Sequence, residues 1–211
     1  MPRTCLIVDF GGVLTTPLDA AVRGFEKREN LAAGAVDRTW YLDPRMVRLT
    51  GDLERGRVTQ TEWNRRAART LGVDDGNLIG RIFADLAPDP LMVEAAARAR
   101  TAGLKVGLLS NSVGLEPWDM YRGCDVDGTF DAALVSGRCG LRKPEPAMYE
   151  LLLKMLGVSG EECVFVDDNA ENLVPAETLG MATVLHRDAQ GSVARLEELF
   201  GVTLRAPVAQ R

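Results

Sequence analysis

Two kinds of apolar pattern divide the chain. In the second half, short apolar runs alternate with stretches of helical spacing. Lys105 to Leu109 ends at Ser110-Asn111, Asp131 to Val135 ends at Ser136-Gly137, Glu162 to Val166 runs into Asp167-Asp168, and Ala182 to Leu185 is the last run. Between them, residues 145–156 set Met148, Leu151, Leu152, Met155 and Leu156 at helical spacing and stop at Gly157. Residues 170–179 predict another helix, ended by Gly180, and residues 192–200 a last one. Near the start, Cys5-Leu6-Ile7-Val8 is an unbroken apolar run leading into Asp9-Phe10-Gly11-Gly12. Uninterrupted apolar strands alternating with helices predict an α/β fold, a doubly wound, mostly parallel sheet covered on both faces.

From Pro17 to Ala87 the pattern is helical throughout. Thr59 with Glu62 three residues on predicts a capping box opening a helix. Thr15-Thr16-Pro17 and Pro88-Asp89-Pro90 flank this stretch. Pro-containing joints on either side predict a helical insert, residues 17–87, in a discontinuous core of residues 1–16 and 88–211. The tail from Arg205 to Arg211 is expected to fray.

Composition narrows the partners. The 211 residues are 46% hydrophobic and 26% charged, ordinary for a globular protein, with a formal net charge of −5. That balance argues against nucleic-acid and anionic-membrane partners, which need a basic face. It leaves room for a small anionic ligand in a local cationic pocket. Cys5, Cys124, Cys139 and Cys163 lack C-x-x-C spacing, and two of them lie in strand-like runs, so buried thiols are expected rather than zinc ligands. With no leader-like or membrane-length apolar run, a reduced, cytoplasmic protein is expected.

Acidic residues just past parallel strands meet in the crevice where open α/β sheets bind ligands. Two acidic sites of this kind stand among four motifs that occur in order: Asp9-Phe10-Gly11-Gly12-Val13-Leu14, Leu109-Ser110-Asn111, Arg142-Lys143-Pro144-Glu145-Pro146, and Asp167-Asp168 with Asn172. In this order, from Thr4 to about Phe200, the chain resembles the haloacid dehalogenase-like hydrolases with a Rossmann-like core and a small helical cap after the first strand. Glu54-Arg55-Gly56-Arg57-Val58-Thr59 with Glu62-Trp63 is similar to the branch that includes the phosphatase domain of soluble epoxide hydrolases.

The resemblance implies a phosphatase-like hydrolase acting on a small phosphorylated metabolite. It implies Asp9 as nucleophile and Lys143 as the cation holding nucleophile and substrate charge. Ser110 and Asn111 would bind phosphate oxygens. Mg²⁺ would sit on Asp9, Asp168 and the Gly11 backbone carbonyl, with Asp167 and Asn172 in support. Electrostatics agrees that a cation is needed, since a carboxylate ~4 Å from a phosphate dianion is repelled by about 8 kcal/mol at an effective dielectric of 20. Pro144 is expected in the first turn of the helix after Lys143.

One position departs from the family pattern. Gly11 stands where family phosphatases carry a second Asp, the acid/base for the leaving oxygen, and loss of such a group typically costs ~10²–10⁴ in rate. Three readings stay open: a phosphatase working without that acid, a non-catalytic or weak member binding a phosphorylated ligand or partner, and a carbon–halogen or carbon–phosphorus hydrolase. Asp167-Asp168 count against the dehalogenase, and the single insert lysine, Lys27, gives no motif match for the carbon–phosphorus case. His186 is expected to be a strand-end spectator, and Asp125-Val126-Asp127-Gly128-Thr129 a loop that only mimics the nucleophile motif. Trp40, Tyr41 and Trp63 are expected in the core of the insert.

Overall fold

The computed structural model describes residues 2–206. Five parallel strands, β1 (Cys5–Val8), β2 (Lys105–Ser110), β3 (Ala132–Val135), β4 (Cys163–Asp167) and β5 (Ala182–Leu185), lie in the order β3-β2-β1-β4-β5. β1 is central, pairing β2 on one side and β4 on the other, with Val8 beside Leu108 and Val166. Alternate side chains point to opposite faces. Leu6 and Val8 pack on one face, and Cys5 and Ile7 on the other.

The insert carries α1 (Leu18–Arg28), α2 (Ala35–Asp37), a π-helical turn (Arg38–Leu42), α3 (Pro44–Glu54), α4 (Gln60–Leu71) and α5 (Leu78–Ile82). The core then adds α6 (Pro90–Thr101), two short turns α7 (Val126–Thr129) and α8 (Ser136–Cys139), then α9 (Pro146–Leu156), α10 (Ala170–Thr178) and α11 (Ala189–Phe200). α6 and α11 cover the Leu6/Val8 face; α9 and α10 cover the Cys5/Ile7 face. All four cysteines are free, and Cys5 and Cys163 are buried partners on neighbouring strands.

Chain entry and exit of the insert lie side by side. Thr15 and Pro88 form an antiparallel bridge, and Thr16 N–H donates to the Ala87 carbonyl at 2.7 Å. The insert's apolar cluster includes Phe25, Trp40, Leu53 and Trp63, and it also takes in Val113, Trp118 and Met120 from the core. Its packing is therefore less self-contained than the 17–87 boundary implies.

Several local expectations need correcting. Thr59 does cap α4, accepting from Glu62 N–H, but Glu62 turns its carboxylate to Arg66 at 2.7 Å, so only half of the capping box forms. Pro146, not Pro144, opens α9, with Glu145 as its N-cap. The mimic motif is a helical turn rather than a loop, because Asp125 caps it by accepting from Gly128 N–H. Of the tail expected to fray, residues 207–211 lie outside the described residues, while Arg205 pairs with Glu197 at 3.3 Å.

Candidate active site

β1 and β4 both deliver an acid at their carboxyl ends. Asp9 N–H still donates to the Val166 carbonyl at 3.0 Å, so the β1–β4 ladder fixes Asp9 against Asp167. Lys143, 1% exposed, reaches between them, with Nζ 2.7 Å from Asp9 Oδ1 and 2.7 Å from Asp167 Oδ2. Asn111, just past β2, holds the Lys143 backbone at two points: it accepts from Lys143 N–H at 2.8 Å and donates to the Lys143 carbonyl at 3.1 Å. Four sequence-distant motifs are thereby tied together at one end of the sheet.

Asp9, Asp167 and Asp168 can bring one oxygen each to within 4.8 Å of one another. Their states differ. Asp167 is saturated: Lys143 takes Oδ2, while Asn169 N–H and Asn172 Nδ2 both donate to Oδ1 at 2.9 Å. Asp168 is half-buried and faces the cavity. Asp9 Oδ1 accepts from Phe10 N–H and pairs with Lys143, which leaves Oδ2 as the oxygen not taken by these donors. We therefore separate the acids by role: Asp167 orders Lys143, and Asp9 and Asp168 face outward.

Charge in this cluster is unbalanced, three carboxylates against one ammonium. Burial pushes Asp9 up to about 7; Lys143 works against the rise and Asp167 adds to it. Burial likewise raises Asp168, with Asp167 beside it adding to the shift. Burial would push Lys143 down, but Asp9 and then Asp167 outweigh it and hold the ammonium above the ordinary lysine value. The oxygens on offer are hard, which fits a Mg²⁺-type ion.

Gly12 lets this cluster close. Its φ is +76°, and a Cβ there would lie 2.3 Å from Asp168 Oδ2. Gly12→Ala should both strain the turn and displace Asp168. We expect divalent-ion affinity at least about tenfold weaker, measured by calorimetric titration, with the sheet intact by circular dichroism.

The cavity over the cluster is about 620 Å³ and is lined by Asp9, Gly11, Asn111, Lys143, Asp168 and Asn172 among others. Ser110 is 1% exposed, and its hydroxyl bonds to the Tyr121 hydroxyl at 2.8 Å. His186 is buried, its Nδ1 2.9 Å from Ser192 Oγ, and burial holds its pKa below the ordinary value.

Sequence reading missed most of the upper wall. Trp40, Tyr41 and Glu54 come from the insert, and Trp118, Met120 and Arg187 from core loops. Trp63 is core, as expected, with its indole N–H donating to Thr50 Oγ1 at 2.9 Å, whereas Tyr41 is 66% exposed at the cavity. A π-helical turn often marks a functional site, and the one carrying Trp40 and Tyr41 was the available signal, invisible in residue spacing. Glu54 meets Arg142 Nε at 2.5 Å, and Arg55 pairs with Glu145, so the end of α3 is ionically fastened beside Lys143.

A family model described as haloacid dehalogenase-like hydrolase matches residues 4–180. The chain is 28% identical to bifunctional epoxide hydrolase 2 of Rattus norvegicus over 215 residues, covering 92% of this chain but 38% of that protein. It is 26% identical to a sesquiterpene phosphatase of Aspergillus oryzae over 208 residues, covering 92% of this chain and 95% of that one. Among solved structures it is similar in fold to a haloacid dehalogenase family enzyme from Bacteroides thetaiotaomicron in complex with magnesium and inorganic phosphate. The TM-score is 0.64 at 22% identity, covering 88% of this chain and 94% of that one.

Proposed function

Because the chain belongs to the haloacid dehalogenase-like hydrolase family, we propose that it hydrolyses a small phosphorylated metabolite through an aspartyl-phosphate on Asp9. The observation that carries this reading is the convergence of Asp9, Lys143 and Asp168 at one cavity. In the first step Asp9 Oδ2 attacks phosphorus, the phosphorus–oxygen ester bond breaks, and the leaving oxygen takes its proton from solvent water. In the second, water attacks the same phosphorus and gives up a proton to solvent, the bond from phosphorus to Oδ2 breaks, and phosphate leaves the restored carboxylate, so one hard hydrolysis becomes two easier ones. Lys143 offsets charge on the nucleophile throughout, held in place by Asn111 and Asp167. Asp9, Asp168 and the Gly11 carbonyl would hold Mg²⁺, which when bound supplies positive charge beside the substrate oxygens. Residues 17–87 act as a cap that closes over the site and excludes water.

The test is hydrolysis of an aryl phosphate with and without Mg²⁺. Turnover that survives chelation of divalent ions counts against the metal. Absent turnover with retained ligand binding would favour a non-catalytic member, the reading that Gly11 keeps alive.

Ion binding should be linked to pH. Asp9 titrates near 7 because burial disfavours its charge. Below that value a proton occupies the carboxylate that the ion needs. Mg²⁺ affinity should therefore rise about tenfold per pH unit up to roughly 7 and level off above it, with proton release seen by calorimetry in buffers of different ionisation enthalpy.

Gly11 itself can be restored. A Cβ at residue 11 would sit 3.2 Å from Met120 Cε and 3.4 Å from each Leu18 methyl, ends of flexible side chains that need yield only slightly. Gly11→Asp should raise turnover of short alkyl phosphates by about tenfold or more, and of aryl phosphates much less, because good leaving groups need little protonation. Equal gains on both would remove the missing acid from the account.

A further inference from the structure

The cavity over Asp9 is lined by two cations, Lys143 and Arg187, and by four acids, Asp9, Glu54, Asp168 and Glu171. Lys143 is committed, its ammonium 2.7 Å from both Asp9 and Asp167. Glu54 is paired with Arg142. Arg187 has no such commitment. Among the described residues its guanidinium enters no ion pair, and its one hydrogen bond runs from Nη1 to the Asp168 carbonyl at 3.4 Å. The phosphoryl chemistry above gives it no task. We propose that Arg187 reads a second anionic group on the substrate, so that the ester cleaved at Asp9 carries a carboxylate or a further phosphate on its leaving part. The inference rests on the reading of Asp9 as nucleophile and names the substrate class for that site.

Three features favour an anion contact over a stray surface arginine. First, the backbone around it is fixed on both sides. His186 is buried, with Nδ1 2.9 Å from Ser192 Oγ, and its N–H donates to the Asp167 carbonyl at 2.9 Å. Asp188 caps α11, accepting from Gly191 N–H at 2.7 Å. Residue 187 is thereby held just past β5, on the rim where β1 and β4 deliver their acids. Second, the bond to Asp168 uses only one arm of the guanidinium. Arginine presents its N–H groups as a rigid fork that matches the paired oxygens of carboxylate and phosphate, so Nη2 and Nε remain for a ligand. Third, position and charge agree. β5 lies two strands from β1, which sets the two backbones about 10 Å apart. An arginine's reach shortens that span to the length of a small metabolite with an anion at each end. Lys143 serves the reacting end, and a second anion among these carboxylates needs a cation of its own.

Propyl phosphate, 3-phosphooxypropionate and propane-1,3-diol bisphosphate share a three-carbon leaving part and differ at its far end. With Mg²⁺ in excess, wild-type kcat/KM should be about tenfold or more higher for at least one of the two anion-ended esters than for propyl phosphate, the scale of one charge-assisted contact. The ester that gains more identifies the group as carboxylate or phosphate. Arg187→Gln should shrink that ratio to within about threefold, and Arg187→Lys should keep part of it as a point charge. Propyl phosphate turnover should stay within about threefold in both variants, because Arg187 is exposed and holds neither Asp9 nor Lys143. Calorimetric titration with propylphosphonate, 3-phosphonopropionate and propane-1,3-bisphosphonate, none of which turns over, repeats the comparison without catalysis. If no ester turns over but an anion-ended phosphonate binds about tenfold tighter through Arg187, the nucleophile reading fails and the anion contact stands. Equal affinity and equal kcat/KM across each series, or a preference that survives Arg187→Gln, overturns the proposal.

Discussion

Asp9→Asn should abolish phosphate-ester hydrolysis, a loss of about 10⁵-fold or more, the scale of an enzyme deprived of its nucleophile. The amide is nearly isosteric, keeps an oxygen for Phe10 N–H and Lys143, and cannot form the acyl phosphate. Folding should survive, because Lys143 retains Asp167 at 2.7 Å. The decisive measurement is single-turnover phosphate release together with a thermal melt. A well-folded variant that still turns over at more than about a thousandth of the wild-type rate would remove Asp9 from its assigned role.

Lys143→Met should be the most damaging change to the fold among the site residues. It removes the ammonium between Asp9 and Asp167, which are 8% and 0% exposed. Breaking a buried pair from one side typically costs about 3–5 kcal/mol, because the partner charges are left uncompensated. The sign with pH follows from the Lys143 pKa, which is raised. Its stabilisation is complete at neutral pH and is lost only as pH climbs through that raised value. In the variant, Asp9 and Asp167 lose their counter-ion. Its stability should therefore improve on mild acidification, whereas the wild type should gain less. Urea titrations at two pH values would show it, and an unchanged midpoint at neutral pH would contradict the buried-pair account. Activity should fall by at least about 10³-fold, since Lys143 also offsets charge on the nucleophile.

The sheet was legible because its strands are unbroken apolar runs, and such runs are what a two-sided core demands. The ends of those runs also carried the acids, and the family resemblance singled out Asp9 and Asp168 among them. The resemblance also set Asp168 forward as the acid for an ion and Asp167 in support; the contacts of Asp167 with Asn172 Nδ2 and Lys143 Nζ became visible only in the folded turn after β4. Ser110 ends β2, and its hydrogen bond to the Tyr121 hydroxyl, eleven residues on, was not legible in the sequence. The apolar wall was least legible. Leu18, Phe83 and Met120 belong to different segments, each ordinary in its own window, and only the three-dimensional arrangement brings them to one cavity.

The Thr15–Pro88 bridge has an evolutionary consequence. Because the chain leaves and re-enters the sheet through two touching residues, the intervening stretch behaves like a cassette whose exchange leaves the strand ladder untouched. A transplant confined to residues 17–87 would nonetheless arrive with a mismatched underside, since Val113, Trp118 and Met120 are moulded to the resident helices. Recombination that diversifies this scaffold must carry the loop after β2 along with the cassette, so the two segments are expected to change in concert.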